Sequence, residues 1–141
     1  MLFEKYVICS EGFGDVHNED GRVVGFQVKI RLPYYRGVRL SMIDNLTVKV
    51  EGKEYSRDQL RFTISEGTFT LDEMTTMTDT YWDFGEKATI TVLEENGFSR
   101  QYGANLKNVS IGIFLRIAYA SFYVTLDKAL ACESGLMAIV S

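Results

Sequence analysis

Val24-Gly25-Phe26-Gln27-Val28-Lys29-Ile30-Arg31-Leu32 alternates apolar residues with small, polar or charged ones. Successive side chains of an extended chain point to opposite faces, so a period of two predicts a strand with one face in a core and one in water. The pattern recurs at Leu46, Val48 and Val50 against Thr47 and Lys49, and at Ala88, Ile90 and Val92 against Thr89 and Thr91. It is strongest at Val109, Ile111, Ile113, Leu115, Ile117 and Tyr119. There Ser110, Gly112 and Arg116 take the other face, and Phe114 interrupts its polar character. Turn chemistry divides the runs: Glu19-Asp20-Gly21-Arg22 before Val23, Glu51-Gly52 after Val50, and Glu95-Asn96-Gly97 after the 88–93 run. Short strands joined by glycine-containing turns predict an all-β protein, an antiparallel β-sandwich of jelly-roll type.

Helical signals are brief, enough for one or two short turns. Ser56-Arg57-Asp58-Gln59 and Thr70-Leu71-Asp72-Glu73 have capping-box spacing, in which the first side chain and the fourth each bond the other's backbone N–H. Residues 126–131 are expected to form a short helix, with Gly135 as its stop. No linker, repeat or low-complexity tract divides the chain, so residues 1–141 read as a single domain, with the 120–141 tail the least patterned part.

A mass of 16.0 kDa allows roughly two-thirds of the unfolded surface to be buried, sufficient for a core without disulfides or metals. The net charge of −4 and the scatter of Lys29, Arg31, Lys49 and Arg116 argue against nucleic-acid binding, which calls for a basic face. The N-terminus lacks the pattern of a signal peptide, and no apolar run approaches the roughly 20 residues of a membrane span. A cytoplasmic location is therefore expected, with Cys9 and Cys132 as reduced thiols.

His17 is the only histidine, so any Ser-His-Asp or multi-histidine metal site must use it. Its polar neighbours predict a solvated loop residue. Gly12-Phe13-Gly14 lacks the third glycine and the helix of a dinucleotide fingerprint. Asp79, Asp83 and Glu86 bracket the aromatic run Tyr81-Trp82-Asp83-Phe84. Three readings of that loop stay open: a glycosidase-like carboxylate pair, aromatic side chains plugging one end of a sandwich while the acids stay in water, or a partner-facing loop. The last is weighed with Pro33-Tyr34-Tyr35-Arg36-Gly37, because tyrosine, tryptophan and arginine concentrate in protein–protein hot spots. Candidate contact residues are thus Tyr34, Tyr35, Arg36, Tyr81, Trp82, Asp83 and Phe84, while Pro33 and Gly37 also suit a simple strand exit and turn.

Five strings resemble one family. They are Ile8-Cys9-Ser10-Glu11-Gly12-Phe13; residues 26–37, from Phe26 to Gly37, followed by Leu40-Ser41-Met42; Arg57-Asp58-Gln59-Leu60-Arg61-Phe62-Thr63; Thr70-Leu71-Asp72-Glu73-Met74; and Trp82-Asp83-Phe84-Gly85-Glu86-Lys87-Ala88-Thr89. In order and spacing they resemble the small (β) subunits of bacterial C-glycoside deglycosidases, from about Leu2 to Tyr119. The resemblance implies a β-sandwich subunit with no cofactor and no catalytic residue of its own. Its implied companion is a larger α subunit, a TIM barrel similar to sugar-phosphate isomerases that holds a manganese-like divalent metal. Together they would cleave the carbon–carbon bond between a 3-oxo sugar and a flavonoid-type aglycone. A ketone at C3 acidifies the C2 proton, a base forms the enolate, and its collapse expels the aglycone carbon. On this reading the small subunit stabilises the barrel and shapes the mouth of its active site. Two alternatives share the fold: a stand-alone carbohydrate-binding module, and a stand-alone glycosidase built on Asp79 and Asp83.

Overall fold

A computed structural model describes residues 7–32, 36–103, 105–117 and 120–137. The chain forms twelve described strands: β1 (Gly14–His17), β2 (Val23–Arg31), β3 (Val38–Arg39), β4 (Ile43–Val50), β5 (Lys53–Glu54), β6 (Leu60–Ile64), β7 (Gly67–Phe69), β8 (Tyr81–Trp82), β9 (Lys87–Leu93), β10 (Lys107–Ile117), β11 (Ala120–Leu130) and β12 (Glu133–Met137). One sheet has the order β12-β1-β2-β9-β6-β7 and a second the order β11-β10-β4-β5, while β3 and β8 form a two-stranded ribbon. Every strand pair is antiparallel except β1 with β12. The all-β sandwich expected from the period of two is the observed architecture.

The alternating apolar rows account for the core. Phe26, Val28 and Ile30 of β2, Ala88, Ile90 and Val92 of β9, and Leu60, Phe62 and Ile64 of β6 are buried in one sheet. Leu46, Val48 and Val50 of β4 and Val109, Ile111, Ile113 and Leu115 of β10 are buried in the other, and all belong to one continuous cluster. The opposite face of β2 and β9 is drier than alternation predicts, since Gln27, Thr89 and Thr91 are buried too. At Gln27 the cause is the loop that crosses β2, whose Gly12 carbonyl accepts from the Gln27 amide at 2.9 Å.

The turns follow the residues. Glu51 and Gly52 link β4 to β5 with φ of 49° and 87°, the left-handed pair of a tight hairpin, which glycine takes without steric cost. Both capping boxes form, giving a 3-10 turn at Arg57–Gln59 and the one-turn helix α1 (Leu71–Met74).

The expected helix at 126–131 is not formed. Residues up to Leu130 continue β11, paired with β10 without interruption from Ile117↔Ala120 to Lys107↔Leu130. Val124, Leu126 and Leu130 are buried at every second position. Lys128 obscures that alternation in the sequence, yet its ammonium donates to the Ile8 carbonyl at 3.0 Å from the same side. A helical turn the sequence did not announce, α2 (Ser99–Tyr102), is held by Asp15 of β1. That carboxylate accepts from the backbone N–H of Phe98, the N–H of Ser99 at 3.2 Å and the Ser99 hydroxyl. His17 ends β1 instead of lying in a loop, half-buried, with Nδ1 at 3.4 Å from the Leu136 carbonyl. Cys9 and Cys132 are free thiols.

Candidate functional site

Gly37 and the strand that follows it meet the second aromatic segment singled out in the sequence. β3 pairs with β8 in the register Val38↔Trp82 and Arg39↔Tyr81, and backbone bonds from Leu40 N–H to Thr80 and from Ser41 N–H to Met77 extend the ribbon. Gly37 packs so closely on the second segment that an added Cβ would lie 3.2 Å from Asp83 Oδ1 and 3.3 Å from the Trp82 carbonyl oxygen. Arg36 is exposed beside it. Tyr34 and Tyr35 lie outside the described residues.

Trp82 departs from its expected role as a contact residue. Its side chain is 0% exposed, edge-on to Phe62 with ring centroids 5.3 Å apart, and its indole N–H donates to the Glu86 carbonyl at 2.9 Å. It is therefore a core residue that plugs this end of the sandwich, and the exposed surface is made by its neighbours. Tyr81 and Phe84 are 41% and 55% exposed, and Asp83 is exposed as well. The turn that presents Phe84 is tied by the Glu86 carboxylate, which accepts from the Ser65 N–H at 2.8 Å and the Asp83 N–H at 3.4 Å.

Arg39 is the member of this surface that sequence reasoning missed, because only the cross-strand register places it opposite Tyr81. Its Nε donates to the Tyr81 hydroxyl at 2.8 Å, and its guanidinium lies 5.6 Å from the ring centroid. That hydrogen bond is the main cause holding the Arg39 pKa above its ordinary value. The result is an ordered cation on an exposed tyrosine ring, a combination suited to binding a flat or acidic surface.

Other features of the surface have structural explanations. A concavity of about 200 Å³ is lined by Arg57, Asp58, Arg61, Thr70, Leu71 and Asp72. Its charges are engaged locally: Arg57 pairs with Asp72 at 3.1 Å and Asn45 at 2.8 Å, and Arg61 bonds the carbonyls of Asp58 and Leu60. Phe114 and Tyr123 form an exposed stacked pair, with centroids 4.1 Å apart. The Tyr123 hydroxyl comes within 2.6 Å of where a Cβ of Gly112 would stand, so the phenol covers the bare glycine of β10 in place of a side chain. Asp79 and Asp83 are exposed, and Glu86 is committed to its turn. Among the described residues no group of three or more His, Cys, Asp or Glu is placed to hold a metal ion. No described helix is long and apolar enough to cross a membrane.

Fold and surface together define a class: a small β-sandwich with an aromatic and basic edge anchored on a buried tryptophan. The family model of the C-glycoside deglycosidase beta subunit matches residues 3–119. The chain belongs to that family. A C-glycoside deglycosidase beta subunit of Eubacterium cellulosolvens is 39% identical over 99 residues, covering 70% of this chain and 67% of the relative. The 3'-dehydrocarminate deglycosidase beta subunit of a Microbacterium species is 36% identical over 66 residues, 47% of this chain and 50% of the relative. A C-glycoside deglycosidase beta subunit of Arthrobacter globiformis is 29% identical over 68 residues, 48% of this chain and 52% of the relative. The matches thus span about two-thirds of the first relative and about half of the other two.

Proposed function

We propose that this chain is the non-catalytic small subunit of a cytoplasmic, heteromeric C-glycoside deglycosidase, and that the β3–β8 ribbon is where it meets the larger subunit. The observation that carries this reading is the pairing of β3 with β8, which sets Arg39 against the exposed Tyr81, with Trp82 buried next to it in β8 and Phe84 exposed in the turn that follows. Exposed aromatic side chains next to an arginine are the composition of interface hot spots. The larger subunit is a TIM-barrel protein carrying a divalent metal, which when bound supplies charge stabilisation to an oxyanion.

The reaction is carbon–carbon bond cleavage in a 3-oxo-C-glycoside of flavonoid type. A base on the larger subunit takes the acidified C2 proton, and collapse of the enolate expels the aglycone carbon, which is reprotonated. The Microbacterium relative is named for a 3'-dehydro substrate, which agrees with a sugar already oxidised at that carbon. This chain's part is to brace the barrel and to help close the mouth of its active site against water.

Co-expression with an isomerase-like barrel should yield a co-purifying complex that turns over a 3-oxo-C-glycoside, while this chain alone does not. Tyr81→Ala and Phe84→Ala should each weaken association by more than about 1 kcal/mol. Turnover by the isolated chain, or unchanged affinity in both variants, overturns the respective half of the proposal.

A further inference from the structure

A sheet edge carries unpaired N–H and C=O groups, and proteins guard such edges by keeping them short, bulged, charged or covered. Three of the four edges of the two main sheets are short here: β5 has two residues, β7 three and β12 five. The fourth, β11, has eleven. Its pairing with β10 runs through all eleven positions with no register shift, it contains no proline, and among the described residues no strand pairs with its other side. Its charges lie toward one end, at Asp127 and Lys128, and the Lys128 ammonium is engaged by the Ile8 carbonyl. The stretch from Ala120 to Leu126 has no charged residue at all.

We propose that β11 is a homodimerisation edge, at which two copies of this chain add strand to strand, antiparallel about a two-fold axis, to make one eight-stranded sheet. The argument for a second copy as occupant is self-complementarity. In antiparallel pairing, directly opposed residues share a face, so a two-fold axis must pass through a residue for the inner rows to match. With the axis at Thr125, Val124 stands opposite Leu126 of the other copy, and the reverse. These two are 7% and 6% exposed, whereas Val109, Ile111, Ile113 and Leu115 of β10 are at 0%, and an added strand would close that remaining gap. In the same register Asp127 opposes Tyr123 and Lys128 opposes position 122, so no like charges meet. The interface is isologous, the commonest arrangement among soluble oligomers. It lies on a different edge from the β3–β8 ribbon and does not depend on the deglycosidase reading.

Sedimentation of the full chain over a range of concentrations should show a monomer–dimer equilibrium. Thr125 is exposed, so Thr125→Lys leaves the monomer folded but sets two ammonium groups opposite each other at the axis. Its dimer dissociation constant should rise about fivefold, as should that of Thr125→Glu. Mixing the two variants should restore dimers by opposing unlike charges. A wild-type chain that stays monomeric, a dimer indifferent to both substitutions, or Thr125 variants that lose only the association with a larger subunit would each overturn the proposal.

Discussion

Trp82 and its neighbours show how one short segment divides between core and surface. The indole is enclosed, edge-on to Phe62 and hydrogen-bonded to the Glu86 carbonyl, so Trp82→Ala should cost about 3–5 kcal/mol of stability, the range for truncating a buried aromatic. Tyr81→Ala and Phe84→Ala, on the exposed side, should stay within about 0.5 kcal/mol. Urea denaturation of the three variants tests the division. Equal losses would mean that the ribbon is a core element throughout. The aromatic character of residues 81–84 was legible in the sequence, but the burial of Trp82 was not. Tryptophan serves cores and interfaces equally well, and what separates the roles is an acceptor for its N–H, supplied here by the carbonyl of Glu86 in the turn that follows. Arg39 was illegible for a related reason, since its partner Tyr81 lies 42 residues away.

At the scale of the element, the two capping-box turns were read correctly because their signals are local. In α1 the Thr70 hydroxyl accepts from the Glu73 N–H at 3.1 Å, and the Glu73 carboxylate accepts from the Thr70 N–H at 2.8 Å. Thr70→Ala should therefore destabilise the chain by about 1 kcal/mol. The backbone bond from Thr70 also holds the Glu73 pKa below its ordinary value. A carboxylate so lowered stabilises the fold in full above its unfolded value, about 4.3, and loses that contribution as pH falls through the folded value. The melting-temperature gap between wild type and Glu73→Gln should thus be present at neutral pH and close in acid. A gap that widens in acid would contradict the box. The long strand β11 was misread because its signal is not local: Lys128 sits in an inward row and looks like a break until its distant acceptor, Ile8, is in view.

For the whole molecule, the sandwich was legible because its rows alternate cleanly, and the way its ends join was not. β12 returns to lie parallel to β1, with Gly14 against Glu133 and Val16 against Leu136. The contact is so close that a Cβ on Gly14 would collide with the backbone of Glu133. Gly14→Val should therefore separate β12 from β1, seen as faster amide exchange in both strands while β2 and β9 stay protected. Unchanged exchange in β12 would show that the two strands are not held by that approach. Gly12 and Glu133, which hydrogen-bond across this seam, are 121 residues apart. On the ribosome, β1 and β2 emerge long before the strand that covers them, so during synthesis β1 waits as a bare flank, open to chaperones and to neighbouring nascent chains until β12 arrives.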